Sequence, residues 1–281
     1  MSSSYLYEEM LDLALKARSS TVCYNVSMEN NKLLFNEEYE SFYKMTQESG
    51  AFRRFCVEAF GEDFSQDGFS DIKQIEKILE YVPQKDDVHI LDIGCGNGKM
   101  AGYLQKKTGA YIHGFDYSEN AIDTAKELFK EKADFRQGLM GEITYPEESF
   151  DLITSMDSMY FAPDMNAFLL QIMGWLKKGG VFFAGYQEGD VMPKTEDAYT
   201  TVLAKALQEN KIGFEVTDIT RDVYDLLRKK RDTAIKYEKE LEAEGNKDWF
   251  DMLMLQTDIV NEPYEVFATQ MARYLYVVRR G

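Results

Sequence analysis

The chain has 281 residues, nearly two ordinary domain lengths, so a bare mini-domain is excluded and one enlarged domain, or a core with appendages, is expected. Apolar residues make up 44% and charged residues 29%, a balance that fills a sizeable core and leaves little chain for disorder. Forty-nine acidic against 32 basic side chains give a net charge of −17, which repels DNA, RNA and anionic membranes, so nucleic acid and membrane are not expected as partners. Cys23, Cys56 and Cys95 show no disulfide-frame spacing and fit reduced thiols. The start MSSSYLYEEM has no targeting pattern, and no run approaches the roughly 20 apolar residues of a membrane span, so a cytoplasmic protein is expected. His89 and His113 are the only histidines, too few for a histidine metal site or triad; no metal is assigned, although an oxygen-ligand magnesium site stays open.

Residues 1–82 read as helical and carry scattered aromatics, among them Tyr24, Phe35, Tyr39, Phe42, Tyr43 and Phe52. Ile72, Ile75, Leu79 and Val82 recur on one face of a helix begun by Ser70 or Asp71 and stopped at Pro83. From Val88 short apolar runs alternate with helical segments, from VHILDI through AYIHGF, ADFRQG and FDLITSM to VFFAGY, which predicts a parallel sheet covered on both faces. The loop GEITYPEES is too short and turn-rich for a full helix. Beyond it come a helix near Thr195 to Asn210, a strand at IGFEVTDIT, helical stretches at Arg221 to Glu244 and Lys247 to Val260, and a last strand ARYLYVVRR. The mixed-sign stretch from Arg221 reads either as a solvated helix face or as a cap over the sheet mouth, and its length between the last two strands favours packing on something.

LDIGCGNGKM carries the chemistry: a strand ending in Asp92 and Ile93 runs straight into Gly94, Gly96 and Gly98 and then a helix. Glycines let the backbone turn tightly and approach a ligand, and the helix start offers free amides. The G-x-G-x-G spacing differs from the G-x-G-x-x-G of dinucleotide folds, and Asp92 two residues ahead suits a ligand carrying an amine rather than a pyrophosphate. Asp116 ends the second strand 22 residues beyond Gly94, where a carboxylate accepts from both hydroxyls of a ribose; Tyr117 follows as a face for adenine, and Ser118 caps the next helix.

On these residues the chain resembles the class I S-adenosylmethionine-dependent methyltransferases over about residues 70–220. LDIGCGNG is similar to the first motif, GFDYSENAIDTA to the second, and FRQGLMGEITYPEESFDLITSMDSMYF to the third and fourth. The resemblance implies S-adenosylmethionine as cofactor, with Gly94 and Gly96 against its methionine part and Asp92 near the amino group. It puts Asp116 on the ribose, Tyr117, Leu139 and Met140 around the adenine, and Ser155, Met156 and Asp157 beside the sulfonium. Many relatives have Asp where this chain has Leu139, so its adenine contacts lean on apolar groups or backbone. In SQDGFSD the resemblance carries Gln66 to the methionine end.

Methyl transfer from a sulfonium is an in-line displacement that asks mainly for alignment and exclusion of water. Asp157, Tyr160 and Glu188, with Tyr186, are the candidates near the mouth for moving a proton, and His113 reads as a core histidine. NEPY at Asn261 to Tyr264 looks like the N-P-P-Y of nucleic-acid amino-methyltransferases, but it stands after the wrong strand and carries Glu262 for the first proline. The expected architecture is α/β: a doubly wound, Rossmann-like, seven-stranded sheet, with an N-terminal helical lid over 1–70, a cofactor-binding core over 71–220, a helical cap insertion over 221–262 and a final core strand within 263–281. The expected function is methylation of a small molecule, an amine acceptor being favoured over O- or C-methylation. An aminopropyl-type transferase and a regulatory module that keeps the cofactor site are the other readings.

Overall fold

The protein is seen in a computed structural model that describes residues 39–281. Residues 1–38 of the expected lid, with Cys23, Tyr24 and Phe35, lie outside the described residues. Seven strands form one sheet: β1 (His89–Ile93), β2 (Tyr111–Asp116), β3 (Ala133–Gln137), β4 (Phe150–Met156), β5 (Leu176–Glu188), β6 (Phe214–Asp218) and β7 (Ala272–Arg279), in the spatial order β3-β2-β1-β4-β5-β7-β6. The pairs from β3 across to β5 are parallel, whereas β7 runs antiparallel between β5 and β6. The parallel sheet expected from VHILDI to VFFAGY is thus seen in β1–β5, and the last strand adds an antiparallel pair at one edge. After β6 the chain climbs into helices on the mouth side and re-enters the sheet from there, so β7 has to run back.

Alternation along the strands feeds both faces, as a half-period of two requires. Leu91, Ile93, Ile153, Phe182 and Ala184 pack with Phe168, Leu169 and Ile172 of α5 (Met165–Trp175) and Leu203 and Leu207 of α6 (Val202–Glu209). Ile90, Leu152, Val181 and Phe183 point the other way, to Ile75 and Ile78 of α2 (Ile72–Ile78) and to Leu104 of α3 (Lys99–Thr108). Asp71 starts α2 by accepting from the Gln74 amide, and Ser118 starts α4 (Glu119–Leu128) by accepting from the Ala121 amide. The GEITYPEES loop contains no helix.

The remaining helices form a second layer over the mouth. Residues 39–48 are helical, and Ser49 caps α1 (Gly50–Phe60). After β6 come α7 (Thr220–Ala243), α8 (Lys247–Gln256) and the short α9 (Tyr264–Gln270), just ahead of the last strand, which starts at Ala272 as expected from ARYLYVVRR. α7 buries Val223, Leu227, Ala234 and Leu241 on a helical stripe, so its mixed charges decorate the outer face of a packed helix. Phe42, Phe52, Phe55 and Phe60 meet Leu226, Phe250 and Leu253, joining the N-terminal helices to the late insertion in one apolar cluster.

Candidate active site

The strand order reverses direction between β1 and β4, and ligands in such sheets bind at the carboxyl ends flanking that point. Gly94 and Gly96 there have φ of +66° and +51°, in the left-handed region. A Cβ on Gly94 would stand 2.5 Å from the Ser158 Cβ, and one on Gly96 would stand 2.3 Å from the Tyr43 hydroxyl, so both conformation and space demand glycine. The Gly94 and Cys95 amides donate to the Phe115 carbonyl at 2.9 and 3.1 Å, hanging the loop on β2. Asp116 completes the attachment: Oδ2 accepts from the Gly96 amide at 2.9 Å and Oδ1 from the Ser118 amide at 3.0 Å. The backbone amide of Tyr117 also bonds this carboxylate, which lines the cavity with acceptor capacity suited to a hydroxyl.

Asp92 is 1% exposed, and its Oδ1 accepts from Thr154 Oγ1 at 2.9 Å while Oδ2 is buried without a partner. Burial, together with repulsion from Asp116, pushes its carboxyl up to about 7. An ammonium group beside Oδ2 would satisfy both the orphaned oxygen and the unfavourable charge.

At the end of β4, Asp157 takes a left-handed φ of +61°, a conformation Asp tolerates better than most residues. Its Oδ1 pairs with the guanidinium of the fully buried Arg273, and its Oδ2 accepts from the Phe69 amide at 3.1 Å and Ser70 Oγ at 2.8 Å. Arg273 also donates to Ser70 Oγ at 2.8 Å and to Gln74 Oε1 at 3.3–3.4 Å. The segment 61–71, which brings Phe64, Ser65, Gln66, Asp67 and Gly68 to the cavity wall, is thus tied down from β4 and β7. At its other end Lys99 donates to Asp63 and to Ser65 Oγ, each at 2.7 Å.

Residues 91–184 match the family described as "Methyltransferase domain". Phosphoethanolamine N-methyltransferase 2 of Haemonchus contortus, solved with phosphomonomethylethanolamine and S-adenosylhomocysteine, superposes over 86% of this chain and 60% of its own with a TM-score of 0.67 at 19% identity. Residues 91–184 are a methyltransferase domain, in keeping with the resemblance to the class I S-adenosylmethionine-dependent methyltransferases. Phosphoethanolamine N-methyltransferase 3 of Arabidopsis thaliana is 27% identical across 274 residues, 93% of this chain and half of its own. A sterol 24-C-methyltransferase of Gibberella zeae is 31% identical, but over only 46% of this chain and 34% of its own. The chain spans 34% and 50% of the length of these two curated relatives.

Within this methyltransferase domain the expected cofactor residues Gln66, Asp92, Gly94, Gly96, Asp116, Tyr117, Leu139, Met140 and Met156 all reach one cavity, and Asp157 joins them. Three expected residues stand off its wall. Ser155 is fully buried and bonds Ser158 Oγ at 2.6 Å, and it is Ser158 that borders the cavity. Tyr160 packs against Phe161 and Tyr186, with Phe161 taking the place at the wall. Glu188 spends its carboxylate on the amide and hydroxyl of Thr195, at 3.0 Å each, and burial raises its proton affinity. His113 and His89 contact each other at 3.0 Å between β1 and β2, away from the cavity.

Sequence reading named Tyr39 and Tyr43 only as scattered aromatics, yet both line the cavity. Tyr39 meets Tyr117 and Phe161 edge-on, with centroids 5.9 and 6.5 Å apart. Burial holds both hydroxyls well above the usual tyrosine range, so they serve as neutral donors or acceptors. Their helix is docked by Glu40, whose carboxylate accepts from the Glu119 and Asn120 amides at 2.6 and 3.1 Å, the free donors at the start of α4.

Proposed function

We propose that this chain binds S-adenosylmethionine in the cavity at the β1–β4 switch point and transfers its methyl group to a small molecule, with an amine as the favoured acceptor. The observation that carries the reading is the pairing, in one cavity, of the orphaned Asp92 oxygen with the glycine loop and the Asp116 carboxylate that holds it. These groups fit the amino acid and ribose ends of that cofactor. Asp92 would take its ammonium, Gly94 and Gly96 its methionine part with Gln66 beside it, and Asp116 its hydroxyls. Tyr117, Leu139 and Met140 would border its base. When bound, the cofactor supplies an electrophilic methyl on a sulfonium.

The protein's own part is alignment and dryness. Tyr39, Tyr43, Phe64 and Phe161 close the cavity with apolar surface. Asp157, fixed by Arg273 and the 61–71 segment, is proposed as a positioning group at the transfer point rather than a free base, because its oxygens are already committed. Tyr160 and Glu188 would support it from behind, bracing Phe161 and the end of β5. An amine that arrives unprotonated needs no strong base, which suits such a wall better than an alcohol does. The 93% coverage of this chain by a phosphoethanolamine N-methyltransferase, against 46% by a sterol C-methyltransferase, further supports nitrogen over carbon. The proposed setting is the cytosol, in line with the buried free thiols of Cys56 and Cys95 and with the absence, among the described residues, of a helix long and apolar enough to cross a membrane. The helical segments 39–70 and 221–262 are proposed as the lid and cap of the 71–220 core.

Incubation with methyl-labelled S-adenosylmethionine and a fractionated metabolite extract tests the reading. Label is expected in a small amine, whereas labelling of phenols or carbon acids alone would overturn the amine preference. Failure of the protein to bind S-adenosylhomocysteine would overturn the methyltransferase reading.

A further inference from the structure

Lys230 lies in the middle of α7 and is 1% exposed, an unusual place for an ammonium. It donates to Gln256 Oε1 on α8 at 2.8 Å, sits 5.8 Å from the Phe60 ring centre and 5.7 Å from that of Phe69, and stands 3.8 Å from Asp67 Oδ1. Gln256 turns its amide nitrogen to the same Asp67 oxygen at 2.8 Å. The cap therefore grips Asp67 through a cation and an amide, both on Oδ1. The Asp67 side chain remains 23% exposed and lines the cavity, so Oδ2 is the oxygen left to a ligand.

Its position along the wall is also fixed. The next residue, Gly68, abuts Asp157 so closely that a Cβ would stand 3.0 Å from Oδ2, which puts Asp67 by the end of β4, while the Gly94–Gly96 loop and Asp116 hold the other wall. Tyr39 lines the same cavity as Asp67, so the carboxylate and an aromatic ring share one wall. A carboxylate beside an aromatic face is a pairing that favours a cation.

We propose that Asp67 determines specificity for a cationic group on the acceptor side of the cavity, and that Lys230 and Gln256 are positioning residues that hold it there. The inference rests on the methyltransferase reading above and gives the acceptor a positive group distinct from the unprotonated nitrogen that takes the methyl. A buried Lys230 partly offsets Asp67, so the pair sets how strongly the acceptor side attracts a positive charge.

The test uses two probes that share a binding mode and differ in charge at the methyl position: S-adenosylhomocysteine, neutral there, and sinefungin, which carries an ammonium there. Calorimetry on the full chain reads the ratio of their Kd values. Asp67→Asn is expected to weaken sinefungin at least tenfold and S-adenosylhomocysteine less than twofold. Lys230→Met, with Gln256 still holding Asp67, is expected to move the ratio at least threefold the other way. A role in packing alone would weaken both probes together. Equal losses, or an unmoved ratio in Asp67→Asn, would overturn the proposal while the parent's binding of S-adenosylhomocysteine keeps the methyltransferase reading. No binding of that probe by the parent would overturn both. Should the Asn variant fail to fold, the direction of the Lys230→Met shift decides.

Discussion

Asp92 carries a cost in the free protein that a bound ammonium would relieve. Its carboxyl is pushed up to about 7, above the ordinary value near 3.9, so below about pH 4 both folded and unfolded chains hold the proton and nothing is lost. As pH rises from there to about 7, the unfolded chain sheds its proton first and stability falls; above 7 the loss is complete, on the order of 3–4 kcal/mol. Asp92→Asn keeps an acceptor for Thr154 and has no charge to bury. Its unfolding free energy in urea, compared with the parent's, should therefore gain about 3 kcal/mol between pH 4 and pH 8, while S-adenosylmethionine binds at least about tenfold more weakly. Burial raises the proton affinity of Asp116 as well, and the backbone amides of Ser118, Gly96 and Tyr117 oppose that shift. Asp116→Ala removes the proposed ribose acceptors and loosens Gly96, and calorimetry should show a loss of at least about 1.4 kcal/mol in cofactor binding. Unchanged binding would remove the basis for reading this loop as a cofactor site.

The segment 61–71 shows what local sequence does and does not carry. β1, its glycine loop and Asp116 were legible because a strand period, left-handed glycines and an acid at fixed spacing are all local signals. The helix capped by Ser118 was legible for the same reason. By contrast the segment is held by Asp157, Lys230, Gln256 and Arg273, each far along the chain, and nothing around SQDGFSD announces partners at such distances. Asp157 read as a base from its place at a strand end, since its ion pair needs β7 and hence the antiparallel return. α9 was missed because seven residues after Pro263 show too little periodicity. The ion pair makes a sharp prediction. Gly185 leaves the room that Arg273 fills, a Cβ there standing 2.6 Å from Nη2, so the guanidinium cannot easily be replaced by another arrangement. Arg273→Met should cost about 3–5 kcal/mol in urea unfolding by leaving Asp157 buried and unpaired, and adding Asp157→Asn should recover part of the loss.

Across the whole molecule, the two ends of the described chain close over the middle. Phe42, Phe52 and Phe55 from the first helices pack with Leu226, Phe250 and Leu253 from the insertion, while Phe69 joins Val223, Leu227 and Phe267. Aromatic scatter in the sequence foretold a core but not which core, since these rings meet partners on the late insertion far along the chain. This layer also covers the glycine loop: the Tyr43 hydroxyl stands where a Cβ on Gly96 would go, and Tyr39 lies edge-on to Tyr117. If a ligand enters along Gly94 and Gly96 under these rings, the layer opens and recloses; its contacts to α4 through Glu40 and to segment 61–71 through Lys230 are hydrogen bonds and ion pairs that can break without unfolding the sheet. Hydrogen exchange should accordingly slow in residues 39–71 and 221–262 when S-adenosylhomocysteine binds, and slow further with an acceptor amine present. Exchange in α5 and α6, packed on a sheet face away from the cavity, should stay unchanged. Equal protection everywhere would mean general stabilisation by mass action rather than closure, and no change in 39–71 or 221–262 would mean that the layer is static packing with another way in.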